Sequence, residues 1–170
     1  MESHELTQLE IIRRKIVDLN QLQHSIYRWR FLSKKIVFTN GCFDILHLGH
    51  IDYLAKASDL GDILIIGVNS DASTKRLKGP NRPINDQEQR SVLLASLHFI
   101  DAVIIFDDPT PLELIKTVRP DTLVKGSDYN LSNIVGADIV QSYGGMVKTI
   151  DFLPGYSTTM IEEKIISGRK

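Results

Sequence analysis

The chain holds one cysteine, Cys42, so no internal disulfide can form and zinc-ribbon chemistry has no ligand set. Cys42 reads as a small residue packed beside a loop. Long hydrophobic runs are missing too. Apolar stretches such as Ile63 to Val68 fall far short of the ~20 residues that a membrane span needs, and Met-Glu-Ser-His does not open a signal peptide. Cytoplasmic residence with no membrane partner is the expectation. Nor is there an excess of one charge: 20 basic against 21 acidic residues leave a formal charge of −1, which removes any general attraction to nucleic acid. An anion site must therefore be local. Internal repeats, low-complexity tracts and linkers are also absent from the sequence.

What is present is the ordinary balance of a globular chain, 170 residues with 42% hydrophobic and 24% charged side chains, which suits one α/β domain. Leu6, Leu9, Ile12, Ile16, Leu19, Leu22, Ile26 and Trp29 recur at spacings of three and four and predict a helix over 5–30. Thr7 and Glu10 have capping-box spacing. Such a stripe must pack back on the domain or meet a second subunit, and packing is the simpler expectation. From Lys35 onward, short β-branched runs at 36–39, 62–68, 102–106, 122–125 and 146–150 alternate with helical patterns at 49–60, 86–98, 110–118, 132–142 and 158–167. That alternation predicts an α/β fold: a Rossmann-like three-layer sandwich with a five-stranded parallel sheet, preceded by an N-terminal helical extension. The division is 1–33 for the extension and 34–170 for the main domain. Pro109, Pro111 and Arg119-Pro120 read as helix punctuation.

Ligands of open parallel sheets sit beyond the carboxyl ends of the strands, so the residues after each strand carry the information. After the first come Thr39-Asn40-Gly41-Cys42-Phe43-Asp44-Ile45-Leu46-His47-Leu48-Gly49-His50. Gly41 permits a tight turn, and Gly49 permits close approach of a ligand. The helix start that follows is an anion site, where His47 and His50, three apart, can donate to a triphosphate. A metal reading of this pair lacks further ligands. Asn69 and Asp71 follow the second strand and could hydrogen-bond sugar hydroxyls or form an Asx turn. The long loop 69–85 concentrates Lys75, Arg76, Lys78 and Arg82 beside Gly79, Pro80 and Pro83, as a mobile basic flap for phosphates would. Lys125 and Gly126 end the fourth strand, the lysine aimed at phosphate or ribose and the glycine admitting a flat base. Ser157, Thr158 and Thr159 open the last helix as a second anion site. Arg90 could orient the basic loop or form a surface ion pair.

GCFDILHLGH resembles the signature of the nucleotidyltransferase superfamily named for its HIGH-type motif, in its cytidylyltransferase-like branch. GVNSDASTKRLKGPNRPIN at 67–85, LVKGSDY at 123–129, IVGADIV at 134–140, YGG at 143–145 and STTMI at 157–161 look like successive blocks of the D-glycero-β-D-manno-heptose 1-phosphate adenylyltransferases. The resemblance covers residues 35–167. It implies an enzyme for ADP-heptose synthesis in lipopolysaccharide core assembly, with ATP and a sugar phosphate as substrates, Mg²⁺ as cofactor, a homodimer and a separate sugar kinase. It further implies nucleotide contacts from Thr39, Asn40, Gly41, Phe43, Asp44, Gly49, Gly126, Asp128, Ser157, Thr158 and Thr159, and substrate contacts from Asn69, Asp71, Arg76 and Arg82. His47, His50, Lys78 and Lys125 would be catalytic, with Asp44 a candidate Mg²⁺ ligand. One departure stands out: 152–156, Phe-Leu-Pro-Gly-Tyr, lacks the basic residue that CMP-transferring relatives carry ahead of the STT block. Rival readings are a cytidylyltransferase acting on glycerol 3-phosphate and a nucleotide-sensing module without turnover.

Overall fold

The structure is a computed structural model that describes residues 6–127 and 133–168. Five strands, β1 (Ile36–Gly41), β2 (Ile63–Asn69), β3 (Ala102–Phe106), β4 (Thr122–Gly126) and β5 (Met146–Ile150), form one sheet in the order β3-β2-β1-β4-β5. Every pairing is parallel. The helices are α1 (Gln8–Arg13), α2 (Leu19–Phe31), α3 (Leu48–Ser58), α4 (Asp71–Lys78), α5 (Gln87–Ala95), α6 (Leu112–Val118), α7 (Ala137–Ser142) and α8 (Thr158–Ser167). None of the described helices is long and apolar enough to cross a membrane.

The period-2 alternation of each strand splits the core into two layers. Ile36 and Phe38 of β1, Ile63 and Ile65 of β2 and Leu123 of β4 join Leu114 and Val118 of α6 and Val140 of α7 on one face. Val37, Leu64, Ile66 and Val124 pack with Tyr53 and Leu54 of α3 and Leu94 of α5 on the other. The chain winds outward through β2 and β3, then returns to lay β4 beside β1. This reversal is the switch point, where a crevice opens at the carboxyl ends of the strands.

Three elements differ from the expectations. The N-terminal pattern is not one helix. Asp18 caps α2 through a second capping box with Gln21, and between the two helices Ile16 bridges Val103 at the β3 edge. Val17 N–H donates to Val103 O at 2.9 Å and Val103 N–H to Lys15 O at 2.8 Å. The Thr7–Glu10 capping box is formed. The apolar stripe packs back only in part: Leu22 and Ile26 are buried in the first core layer and Ile12 and Ile16 lie against the second, while Leu6, Leu9 and Leu19 stay exposed. Second, the expected flap 69–85 is half helix. Ser70 Oγ accepts Ser73 N–H at 2.9 Å to start α4, which stops at Gly79 with φ +103°. No apolar period announces this helix, because its buried side chains are Ser73 and Thr74. Third, α7 begins at Ala137, after Gly136 in the left-handed region at φ +81°, while the expected start at 132 lies outside the described residues.

Candidate active site

The loop after β1 is held in shape by polar anchors. Thr39 Oγ1 shares a buried 2.8 Å hydrogen bond with Tyr53 Oη. Phe43 turns the chain with a left-handed φ of +48°, a conformation that ordinary residues keep only when their surroundings enforce it. Its ring lies beside Gly41, where a Cβ would come within 3.1 Å, and meets the His50 ring edge-on at 5.4 Å. Asp44 faces the basic loop. Its Oδ1 accepts Ile84 N–H at 2.7 Å and Asn85 N–H at 3.0 Å, and its Oδ2 accepts Arg82 Nη1 at 2.9 Å.

His47 precedes α3 and gives no side-chain cap, which leaves first-turn N–H groups for a ligand. The His47 and His50 rings stack with centroids 3.8 Å apart, and Nδ1 of each is buried with no hydrogen-bond partner. Burial lowers both pKa values, and in His50 the neighbouring His47 charge adds to it, reaching about 4. Both are neutral rings at pH 7. Gly49 makes this arrangement possible, since a Cβ there would sit 3.1 Å from the His47 ring and 3.2 Å from Tyr156 Cβ. That second contact brings the segment before α8 against the start of α3. Ser157 caps α8 by accepting Met160 N–H at 3.1 Å, with Thr158 and Thr159 in its first turn. The two helix starts are therefore neighbours.

Lys125, at the end of β4, donates through Nζ to Asn40 Oδ1 of β1 across the switch point. Burial pushes its pKa down to about 8. Gly126 is buried at the same strand end.

The remaining expected residues are engaged with protein groups. Asn69 is buried and donates to Ser73 Oγ at 3.0 Å. Asp71 Oδ1 accepts Arg90 Nη2 at 2.7 Å. Arg76 bonds Asp107, through the carbonyl at 2.5 Å and through Oδ1 at 3.1 Å. Arg82 pairs with Asp44 and with Glu162 of α8. Lys78 is exposed at the end of α4, and Asp128 lies outside the described residues. No group of three His, Cys, Asp or Glu side chains that could hold a metal occurs among the described residues, and Asp44 already spends both oxygens on three donors. These residues do not build a resident Mg²⁺ site.

Sequence reasoning underrated Arg90 and missed Tyr53, Asn85 and Glu162. Arg90 is 1% exposed and bonds three segments of the site. Its signal was its place on the inner face of α5, one turn before Leu94, where a surface pair has no room.

These features define a Rossmann-like α/β protein whose switch-point crevice is bordered by the starts of α3 and α8. The chain belongs to the cytidylyltransferase-like family, whose model matches residues 38–164. It is 52% identical over 153 residues to the bifunctional protein HldE of Citrifermentans bemidjiense, a match covering 90% of this chain and 31% of that one. With the HldE of a Nitratiruptor species it shares 61% over 135 residues, 79% of this chain and 28% of that one. The chain thus spans about a third of the length of these relatives. Among solved structures, the lipopolysaccharide core biosynthesis protein of Thermoplasma volcanium is 31% identical with a TM-score of 0.56, over 71% of this chain and 97% of that one.

Proposed function

We propose that residues 34–170 are an adenylyltransferase that converts ATP and D-glycero-β-D-manno-heptose 1-phosphate to ADP-heptose and pyrophosphate, for lipopolysaccharide core assembly. The observation that carries the reading is the stacked, neutral His47–His50 pair on a helix start that adjoins the start of α8. Two N–H-rich termini and two unpartnered ring nitrogens suit a triphosphate, whose β- and γ-phosphates would lie between them. The relatives named HldE and the heptose-type blocks support the sugar and the base.

An oxygen of the sugar phosphate attacks the α-phosphorus of ATP, the bond from that phosphorus to the α,β-bridging oxygen breaks, and its electron pair leaves on pyrophosphate. The nucleophile is already anionic near neutral pH, so no side chain need take its proton. Positioning and charge stabilisation then supply the acceleration. His47 and His50 donate to the leaving phosphates, while Lys125 and Lys78 offset growing charge. Mg²⁺ enters bound to the ATP phosphates, as part of the substrate. Contact of Arg76 or Arg82 with substrate requires each to exchange its carboxylate partners. A sugar kinase activity supplies the 1-phosphate, and a cytoplasmic homodimer belongs to the same reading.

The family description favours one alternative, cytidylyl transfer, for which glycerol 3-phosphate is the acceptor to test. The test is pyrophosphate release with ATP or CTP against each acceptor. Turnover confined to CTP and glycerol 3-phosphate overturns the adenylyl assignment, and silence with every pair favours a nucleotide sensor.

A further inference from the structure

Arg90 is the largest side chain fully buried in the protein, 1% exposed, and its guanidinium serves three acceptors on three segments. Nε donates to Asn85 O at 3.0 Å, Nη1 to Cys42 O at 2.6 Å and Nη2 to Asp71 Oδ1 at 2.7 Å. Asn85 closes the basic loop, Cys42 sits in the turn after β1, and Asp71 opens α4. Two of these segments are also tied to each other, because Asn85 Nδ2 donates to Asp44 O at 2.7 Å.

The Cys42 contact reaches furthest into the site. Cys42 O immediately precedes Phe43, whose left-handed backbone is held only by its surroundings. The Phe43 ring in turn meets His50 at 5.4 Å, and His50 stacks on His47. The path from a buried guanidinium to the phosphate-facing imidazoles therefore runs through one carbonyl and one ring. A lysine cannot replace this fork, since a single ammonium on a flexible stem does not present donors in three fixed directions.

We propose that Arg90 is a positioning residue for nucleotidyl transfer: through Cys42 O and Phe43 it sets where the His47–His50 pair stands, without touching substrate. The inference rests on the adenylyltransferase reading above for its kinetic consequence, and on the fold alone for its geometric one.

The test compares wild-type protein with Arg90→Lys and Asp71→Asn, the latter keeping an acceptor oxygen but removing the charge that Arg90 Nη2 meets. For each, three quantities are measured: the melting temperature, kcat and KM for ATP with heptose 1-phosphate, and the titration midpoint of the His50 ring by NMR. In Arg90→Lys we expect kcat to fall by about 10- to 100-fold, as misplacement of a reacting geometry does, with a smaller change in KM. The His50 midpoint should rise from about 4 toward 6.5 as the ring loosens from its buried seat. Asp71→Asn should show both effects in weaker form, and it carries the test if Arg90→Lys does not fold. A purely structural arginine would lower the melting temperature and leave kcat of the folded protein and the His50 midpoint at their wild-type values, and that result overturns the proposal. Absence of turnover in the wild type would remove the enzymatic reading alone, because the His50 midpoint still decides the positioning claim.

Discussion

His47 and His50 stack ring on ring, 3.8 Å between centroids and 27° from parallel, with Nδ1 of each buried and unpartnered. Burial makes both imidazoles resist protonation, and the His47 charge adds to the effect in His50, which is held near 4. The folded chain thus refuses protons that the unfolded chain, titrating near 6.5, accepts. Stability is unaffected above pH 6.5 and declines as pH falls from 6.5 to about 4. In the free protein the NMR titration of the His50 ring should have its midpoint near 4. A midpoint near the ordinary 6.5 would refute the packing described here. His50→Gln should flatten the acid side of the stability profile and lower the transfer rate by about 10²-fold.

Lys125 follows the same sign at higher pH. Burial lowers its pKa to about 8, so holding it charged below pH 8 costs stability. That cost is relieved as pH rises from 8 toward 10.5, where the unfolded chain alone still binds the proton. Replacement by methionine, similar in length and uncharged, should raise stability at pH 7 by roughly 1 kcal/mol, offset in part by the partner lost to Asn40. The gain should shrink above pH 8. Pyrophosphate release should fall by about 10²-fold in the same variant, and in the wild type it should decline above pH 8 as the amine discharges. Denaturant titration at pH 7 and pH 10 checks the first part, and initial rates check the second.

Gly49→Ala separates packing from function. Alanine favours a helix over glycine by about 1 kcal/mol, while crowding of a tight contact costs about 1–3 kcal/mol. The balance runs from near zero to about 2 kcal/mol of destabilisation, so the melting temperature should hold or fall by a few degrees. The added methyl would nevertheless meet the His47 ring at 3.1 Å and Tyr156 Cβ at 3.2 Å. It should displace the ring or the α8 start and reduce transfer at least ~10-fold. Wild-type kinetics in this variant would show that neither contact matters to the phosphates.

Leu22→Ala tests the standing of the N-terminal segment. Leu22 is fully buried in the first core layer beside Ile26, so truncation should cost about 2–5 kcal/mol in urea denaturation, as core cavities do. A cost under about 1 kcal/mol would mean that residues before Lys34 are an appendage rather than a part of the core.

The five strands were legible because short β-branched runs are a local signal, the start of α3 lies one residue before the expected 49, and the start of α8 was legible from Ser157 in the cap position before it. The α4 helix was not, because DASTKRLK buries only Ser73 and Thr74 and so has no apolar stripe to read. The break between α1 and α2 was hidden for the reverse reason. Ile12 and Ile16 continue the helical spacing across the break, yet Ile16 is taken by an edge bridge to Val103. In the site, the adjacency of His47 and His50 at a helix start followed from their three-residue spacing. The partners of Arg82 and Arg76 could not, since a basic run looks the same whether it faces phosphate, solvent or, as here, Asp44, Glu162 and Asp107.

By itself the sequence determined the alternation of strands and helices, the three-residue spacing of the histidines and the cap at Ser157, because each depends on neighbours within about four residues along the chain; the turn expected at Gly41 falls instead at Phe43, and Gly41 still pairs within β1. Only the tertiary structure decided that β4 returns to lie beside β1 and brings Lys125 to Asn40, that α8 starts against Gly49, and that Arg90 lies buried among three loops. These are choices of packing. They bring together groups tens of residues apart, and burial then sets their charge, as it holds His50 near 4 and Lys125 near 8.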